Sequence, residues 1–237
     1  YGDQRGGADW HRTLSYRLVH EAGFKECMNM ESMYYSKEAD VTVSCHVDDP
    51  LTKAKAEGKK WFHDKIEDMF DTKGRQDLSP GNDLDYLSMR ISMNSRGDIR
   101  LDNQLKIEKY LEEMGLSECN PAVEPIHKDW LKRIHSEQQA GIQASQEEKE
   151  AYMQQMGELQ WITQTTHPTL ATGVSIYSSL GKHVVPALLG ALKHMFRYLK
   201  GAKRRCLTKK AGVNTGLQVS SDADWAGLYK VIGEVRS

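Results

Sequence analysis

Apolar residues recur along this 237-residue chain with two different periods, and a chain patterned in both ways must combine helices with antiparallel strands. Val41, Val43 and Cys45 alternate with Thr42, Ser44 and His46, the period-two pattern of a half-buried strand, and residues 51–56 can return beside it. Elsewhere the spacing is helical. Trp10, Leu14, Leu18 and Ala22 form one stripe, ended by Gly23. Phe62, Ile66, Met69 and Phe70 form a second within residues 59–70, and Leu188, Leu192, Phe196 and Leu199 a third within 186–200. Helices are also expected at 105–114, stopped by Gly115, and at 152–164. Residues 32–36 read as a strand, and 84–93 with 98–101 as a hairpin around Asn94-Ser95-Arg96-Gly97.

The strand at 41–46 runs into two adjacent acids, Asp48 and Asp49. Side by side, two carboxylates repel unless water, hydrogen bonds or a cation compensates. The dipeptide therefore reads either as a solvated turn, for which Asp is well suited, or as a metal site at a hairpin tip.

Net charge is only −1, but it is unevenly placed. Acids recur between Glu31 and Asp85, whereas residues 182–210 contain none. In that stretch Lys193, Arg197, Lys200 and Arg204 fall on a face of the 186–200 helix and its exit other than the apolar one. Such a strip meets either solvent or the phosphates of a polyanion. Residues 121–150 turn to Gln, Glu, Ser, Lys and His with few apolar anchors, which marks a linker, mobile over 136–147. Mean hydropathy is −0.64, and no apolar run approaches the roughly 20 residues that cross a bilayer, so no membrane partner is expected. Cys27, Cys45, Cys119 and Cys206 lack C-x-x-C spacing, which points to buried or idle thiols in a reducing compartment rather than disulfides or zinc. Tyr1 in place of a start methionine is expected to reflect a cut inside a longer protein.

The order of several short motifs resembles the reverse transcriptase of copia-type LTR retrotransposons. Tyr1-Gly2 and Trp10 frame the family's opening Y-G-L-K-Q-A-P-R-x-W block, followed by Gly23-Phe24-Lys25. His46-Val47-Asp48-Asp49-Pro50 stands where the family has Y-V-D-D-L. Tyr86 to Ile91 is similar to Y-F-L-G-I-E-I, and Leu105 to Leu111 to K-Y-I-E-K-L-L. Gly157 to Trp161 and Thr165 to Pro168 resemble G-S-L-L-Y and T-R-P-D-I. Arg197-Tyr198-Leu199-Lys200-Gly201 reproduces R-Y-L-K-G, and Ser221 to Gly227 reads S-D-A-D-W-A-G, the start of a ribonuclease H domain.

The resemblance implies an α+β fold with a partial polymerase palm and start of the thumb at 1–120, a linker at 121–150, a helical thumb or connection at 151–212, and a truncated ribonuclease H start at 213–237 whose first strand runs from Leu217. It implies RNA-directed DNA polymerase activity by two-metal nucleotidyl transfer. Asp48 and Asp49 would bind two magnesium ions with a third aspartate carried on a strand before Tyr1, and Asp222 would be the first metal-binding acid of the ribonuclease H site. With the third palm aspartate missing, the isolated chain is expected to be inactive. Implied partners are an RNA/DNA primer–template, deoxynucleoside triphosphates and other parts of the Pol polyprotein, in a cytoplasmic virus-like particle or the nucleus. The chain departs from the pattern at Arg5, in place of a glutamine near the nucleotide and template, at His46, in place of the tyrosine before V-D-D, at Pro50 and at Ser88. Arg5 and His46 remain candidate nucleic-acid contacts, with Lys193, Arg197, Lys200 and Arg204. The alternatives are a non-catalytic nucleic-acid-binding remnant and a degenerate transposon-derived protein.

Overall fold

The computed structural model describes residues 5–72 and 74–213, and the chain divides into two units after Arg75. The fold is α+β, with two antiparallel four-stranded sheets.

The first unit begins with α1 (Gly6–Tyr16), which widens into a π-helical turn at Arg17–Glu21. A meander of β1 (Lys25–Glu26), β2 (Met33–Ser36), β3 (Val41–His46) and β4 (Asp49–Lys53) follows in spatial order β1-β2-β3-β4, and α2 (Ala56–Met69) closes the unit. The alternation in β3 does what period two requires: Val41, Val43 and Cys45 are buried, while Thr42 and Ser44 are half-buried on the other face. Tyr34, opposite Val43, lies on the same buried face. Leu14 and Leu18 from the α1 segment and Phe62 and Ile66 from α2 join these side chains in one core, so the helices cover a single face of the sheet.

The second unit carries β5 (Leu84–Tyr86), β6 (Met89–Met93) and β7 (Ile99–Asp102), a meander completed by β8 (Leu207–Lys209) from far along the chain. Its helices are α3 (Gln104–Glu113), α4 (Lys128–Gln139), α5 (Gln146–Thr165), α6 (Ala171–Ser179) and α7 (Pro186–Ala202). α7 is central, packing against the other four, and Leu188, Leu192, Phe196 and Leu199 are fully buried. Gly115 ends the α3 segment at φ +66, a conformation that glycine adopts without a Cβ clash.

Residues 121–150 correct the expectation of a linker. They contain α4, whose Leu131 and Ile134 are buried in the core shared with α7. The approach is close enough that a Cβ on Gly190 would meet the Trp130 ring at 2.4 Å. Two buried residues one helical turn apart suffice to dock an amphipathic helix, and an average over a polar window hides them. The boundary expected near residue 120 accordingly falls after Arg75.

Candidate metal and nucleic-acid sites

The register His46↔Asp49 leaves Val47 and Asp48 as a two-residue loop between β3 and β4. Val47 takes φ +54, as the tight turns that match strand twist require at their first central position. Both acids are exposed, Asp48 at the tip and Asp49 as the first residue of β4. The tip is held from below, where the Trp10 indole Nε1–H donates to the Val47 carbonyl at 2.7 Å. Between α1 and the hairpin lies a cleft of about 240 Å³, lined by Gly7, Trp10, His11, Cys45, His46 and Val47 among others. His46 thus borders a concavity beside the acids, whereas Arg5 stands exposed just before α1, its carbonyl accepting from Asp9 N–H at 2.9 Å.

Pro50 is tolerated for a geometric reason. It pairs with Cys45, whose own N–H turns away to the Ser32 carbonyl, so Cys45 and Pro50 form a non-hydrogen-bonded pair and the missing donor would have pointed off the sheet. Burial pushes the Cys45 thiol up to about 11, which leaves it inert as a nucleophile or thiolate ligand.

Oxygen ligands in a dipeptide at a rigid turn suit a hard divalent cation. Among the described residues, however, no group of three His, Cys, Asp or Glu side chains is arranged to hold a metal ion. Among the described residues, Asp48 and Asp49 are the carboxylates at this turn that would hold such an ion. Asp222 and the strand expected from Leu217 lie outside the described residues.

The four cations of the α7 strip separate into two kinds. Lys193 and Arg204 are exposed. Arg197 Nε donates to the Asn120 carbonyl at 2.9 Å and Lys200 Nζ to the Cys119 carbonyl at 2.7 Å, and both side chains are half-buried. With Ala122 N–H to the Arg197 carbonyl and His194 Nε2 to the Glu124 carbonyl, they fasten the segment after α3 onto α7. Spacing on a helical wheel cannot distinguish a cation facing solvent from one facing a carbonyl of another segment.

The Thr166-His167 pair is structural. His167 is 2 % exposed, its Nε2 lies 3.2 Å from the Ala202 carbonyl and its Nδ1 2.8 Å from Thr166 Oγ1. Since a carbonyl only accepts, Nε2 carries a proton, and in the neutral ring Nδ1 then accepts from the Thr166 hydroxyl. Burial lowers its pKa and keeps it neutral.

The role of Trp10 at the turn was missed in the sequence, because a contact across 37 positions leaves no mark in local spacing. Strand β8 was also missed, being three residues long and flanked by cations. No family model matches the chain, and neither curated proteins nor solved structures yield a match. Among the described residues, no helix is long and apolar enough to cross a membrane.

Proposed function

We propose that the chain is part of an RNA-directed DNA polymerase of the copia type, with the first unit as a portion of its palm. The observation that carries the reading is the placement of Asp48 and Asp49, exposed at a two-residue turn between antiparallel strands beside a cleft. In this reading the two carboxylates hold divalent cation, which when bound supplies Lewis-acid activation of a primer hydroxyl and of the departing pyrophosphate. Trp10 fixes the turn through its bond to the Val47 carbonyl, and His46 lines the cleft in which a primer–template would lie. β4 is the outer strand of its sheet among the described residues, so a further strand bearing a third carboxylate has an edge to pair with. Partners are a primer–template, deoxynucleoside triphosphates and the rest of a Pol polyprotein.

The test combines metal and activity. Manganese binding followed by electron paramagnetic resonance should reveal a weak site that disappears in the Asp48→Asn, Asp49→Asn double variant. Primer extension on an RNA template with magnesium should be undetectable if Asp48 and Asp49 alone hold the metal, because two carboxylates cannot fix both ions. Manganese binding unchanged in the double variant would remove the reading. Template-dependent synthesis abolished by Asp48→Asn would show that the acids present suffice.

A further inference from the structure

The second sheet assembles a polar row that no local stretch of sequence contains. Ser92 pairs with Arg100 in β6 and β7, and Arg100 with Thr208 in β7 and β8, so the three side chains stand on one face in adjacent strands. Arg100 is exposed yet held, its Nε and Nη2 both donating to Cys206 Sγ at 3.2 Å. Cys206 Sγ lies 3.5 Å from Thr208 Oγ1, which completes the clamp. With Nε and one Nη2 N–H spent on Cys206, the guanidinium has further N–H groups for another partner, and Ser92 and Thr208 flank Arg100 in the adjacent strands.

The neighbouring charges favour an anion. Arg96 in the β6–β7 turn and Lys210 after β8 are exposed at the same end of the ribbon. Of the acids around Arg100, Asp98 accepts from Ala211 N–H and Asn94 Nδ2 and Asp102 from Arg90 Nε and Nη2, whereas Asp83 and Asp85 are exposed at the far side of β6 from Arg100. Guanidinium and hydroxyl donors set together match the tetrahedral oxygens of phosphate, and an open ribbon admits a long chain of them.

We propose that the Ser92–Arg100–Thr208 row, with Arg100 positioned by Cys206 and flanked by Arg96 and Lys210, is a phosphate-binding site that takes the phosphodiester backbone of a nucleic acid. The choice of nucleic acid over free phosphate rests on the polymerase reading; the site itself does not. It places backbone contact on the β7–β8 ribbon, whereas Arg197 and Lys200 of α7 are engaged within the fold.

The experiment measures anisotropy of a fluorescein-labelled duplex and a labelled single strand with the full chain at several salt concentrations. In parallel, the ¹⁵N-edited NMR signal of the Arg100 Nε–H is followed under titration with inorganic phosphate. Arg100→Ala should weaken oligonucleotide binding about tenfold and reduce the slope of log K against log salt by about one. Lys132→Ala, which removes an exposed cation from α4, is the charge-matched comparison and should change little. Arg100→Lys should keep the salt slope but remain several-fold weaker, since an ammonium lacks the planar fork. Cys206→Ala should weaken binding about threefold at unchanged slope, and Cys206→Ser should restore it. Equal effects of Arg100→Ala and Lys132→Ala, or full recovery in Arg100→Lys, would overturn the site while leaving the polymerase reading intact. Phosphate shifting the Arg100 signal without any oligonucleotide binding would keep the site for small phosphates and remove the nucleic-acid reading. Neither response would overturn the proposal entirely, provided thermal melting shows the variants folded.

Discussion

Val47 is the most strained residue of the acidic hairpin. A β-branched side chain at φ +54 crowds its own backbone, and the residue is 58 % exposed, so it gains little from burial in exchange. Asparagine tolerates this conformation and keeps more backbone order than glycine. Val47→Asn should therefore stabilise the first unit by about 1 kcal/mol, read as a higher denaturation midpoint at unchanged m value. The same substitution leaves the Val47 carbonyl in place for the Trp10 indole. An unchanged or lower midpoint would mean that the turn relaxes this strain in solution.

At the level of elements, two helical glycines with the same intrinsic propensity have opposite surroundings. On Gly58 of α2 a Cβ would stand 2.6 Å from the Ala39 carbonyl oxygen and 3.0 Å from Val41 Cγ2. On Gly157 of α5 it would meet nothing within 4 Å. Alanine is favoured over glycine in a helix by about 1 kcal/mol. Gly157→Ala should therefore raise stability by up to that amount, whereas Gly58→Ala should lower it by about 1–3 kcal/mol, because backbone cannot yield as a flexible side chain does. Urea denaturation of both variants decides the matter, and a stabilised Gly58→Ala would show that α2 can lift from the β2–β3 turn without loss. Periodicity made most of these helices legible, including the stripes of α2 and α7. It did not reveal α4, whose anchors Leu131 and Ile134 are diluted by polar neighbours and gain their meaning from α7.

For the molecule as a whole, each unit has its own core, and the buried His167 and half-buried His194 should make the second one sensitive to mild acid. Burial lowers the pKa of His167, and Arg205 adds to the effect while Asp102 and the bond to the Ala202 carbonyl oppose it. Burial also lowers the pKa of His194, with Arg197 and His127 adding to it and the Glu124 carbonyl and carboxylate opposing. A base whose folded pKa is depressed leaves stability fully present above its ordinary value, about 6.5. As pH falls below that, the unfolded chain takes up protons that the folded state refuses, and stability is lost down to the folded pKa. Asp98 is held low chiefly by the Ala211 N–H and Glu108 chiefly by Lys203, and these lose their contribution only below about pH 4. The melting temperature of the second unit should therefore decline between pH 7.5 and 5, and His167→Gln should flatten that decline even where it lowers stability at pH 7.5. A decline of equal steepness in the variant would assign the effect to other groups.

Local pattern was enough to determine that this chain alternates short antiparallel strands with amphipathic helices, that β3 buries Val41, Val43 and Cys45, and that Asp48 and Asp49 fall at the end of a strand. Each of these depends on residues a few positions apart, where backbone periodicity relates sequence to face. Tertiary structure alone decided that Trp10 caps the acidic turn, that Arg197 and Lys200 face the carbonyls of Asn120 and Cys119, and that β8 joins β7 to set Thr208 beside Arg100. Those contacts join segments separated by 37 to more than 100 positions, and a side chain's partner at such a distance is chosen by how the elements pack rather than by its neighbours in the chain.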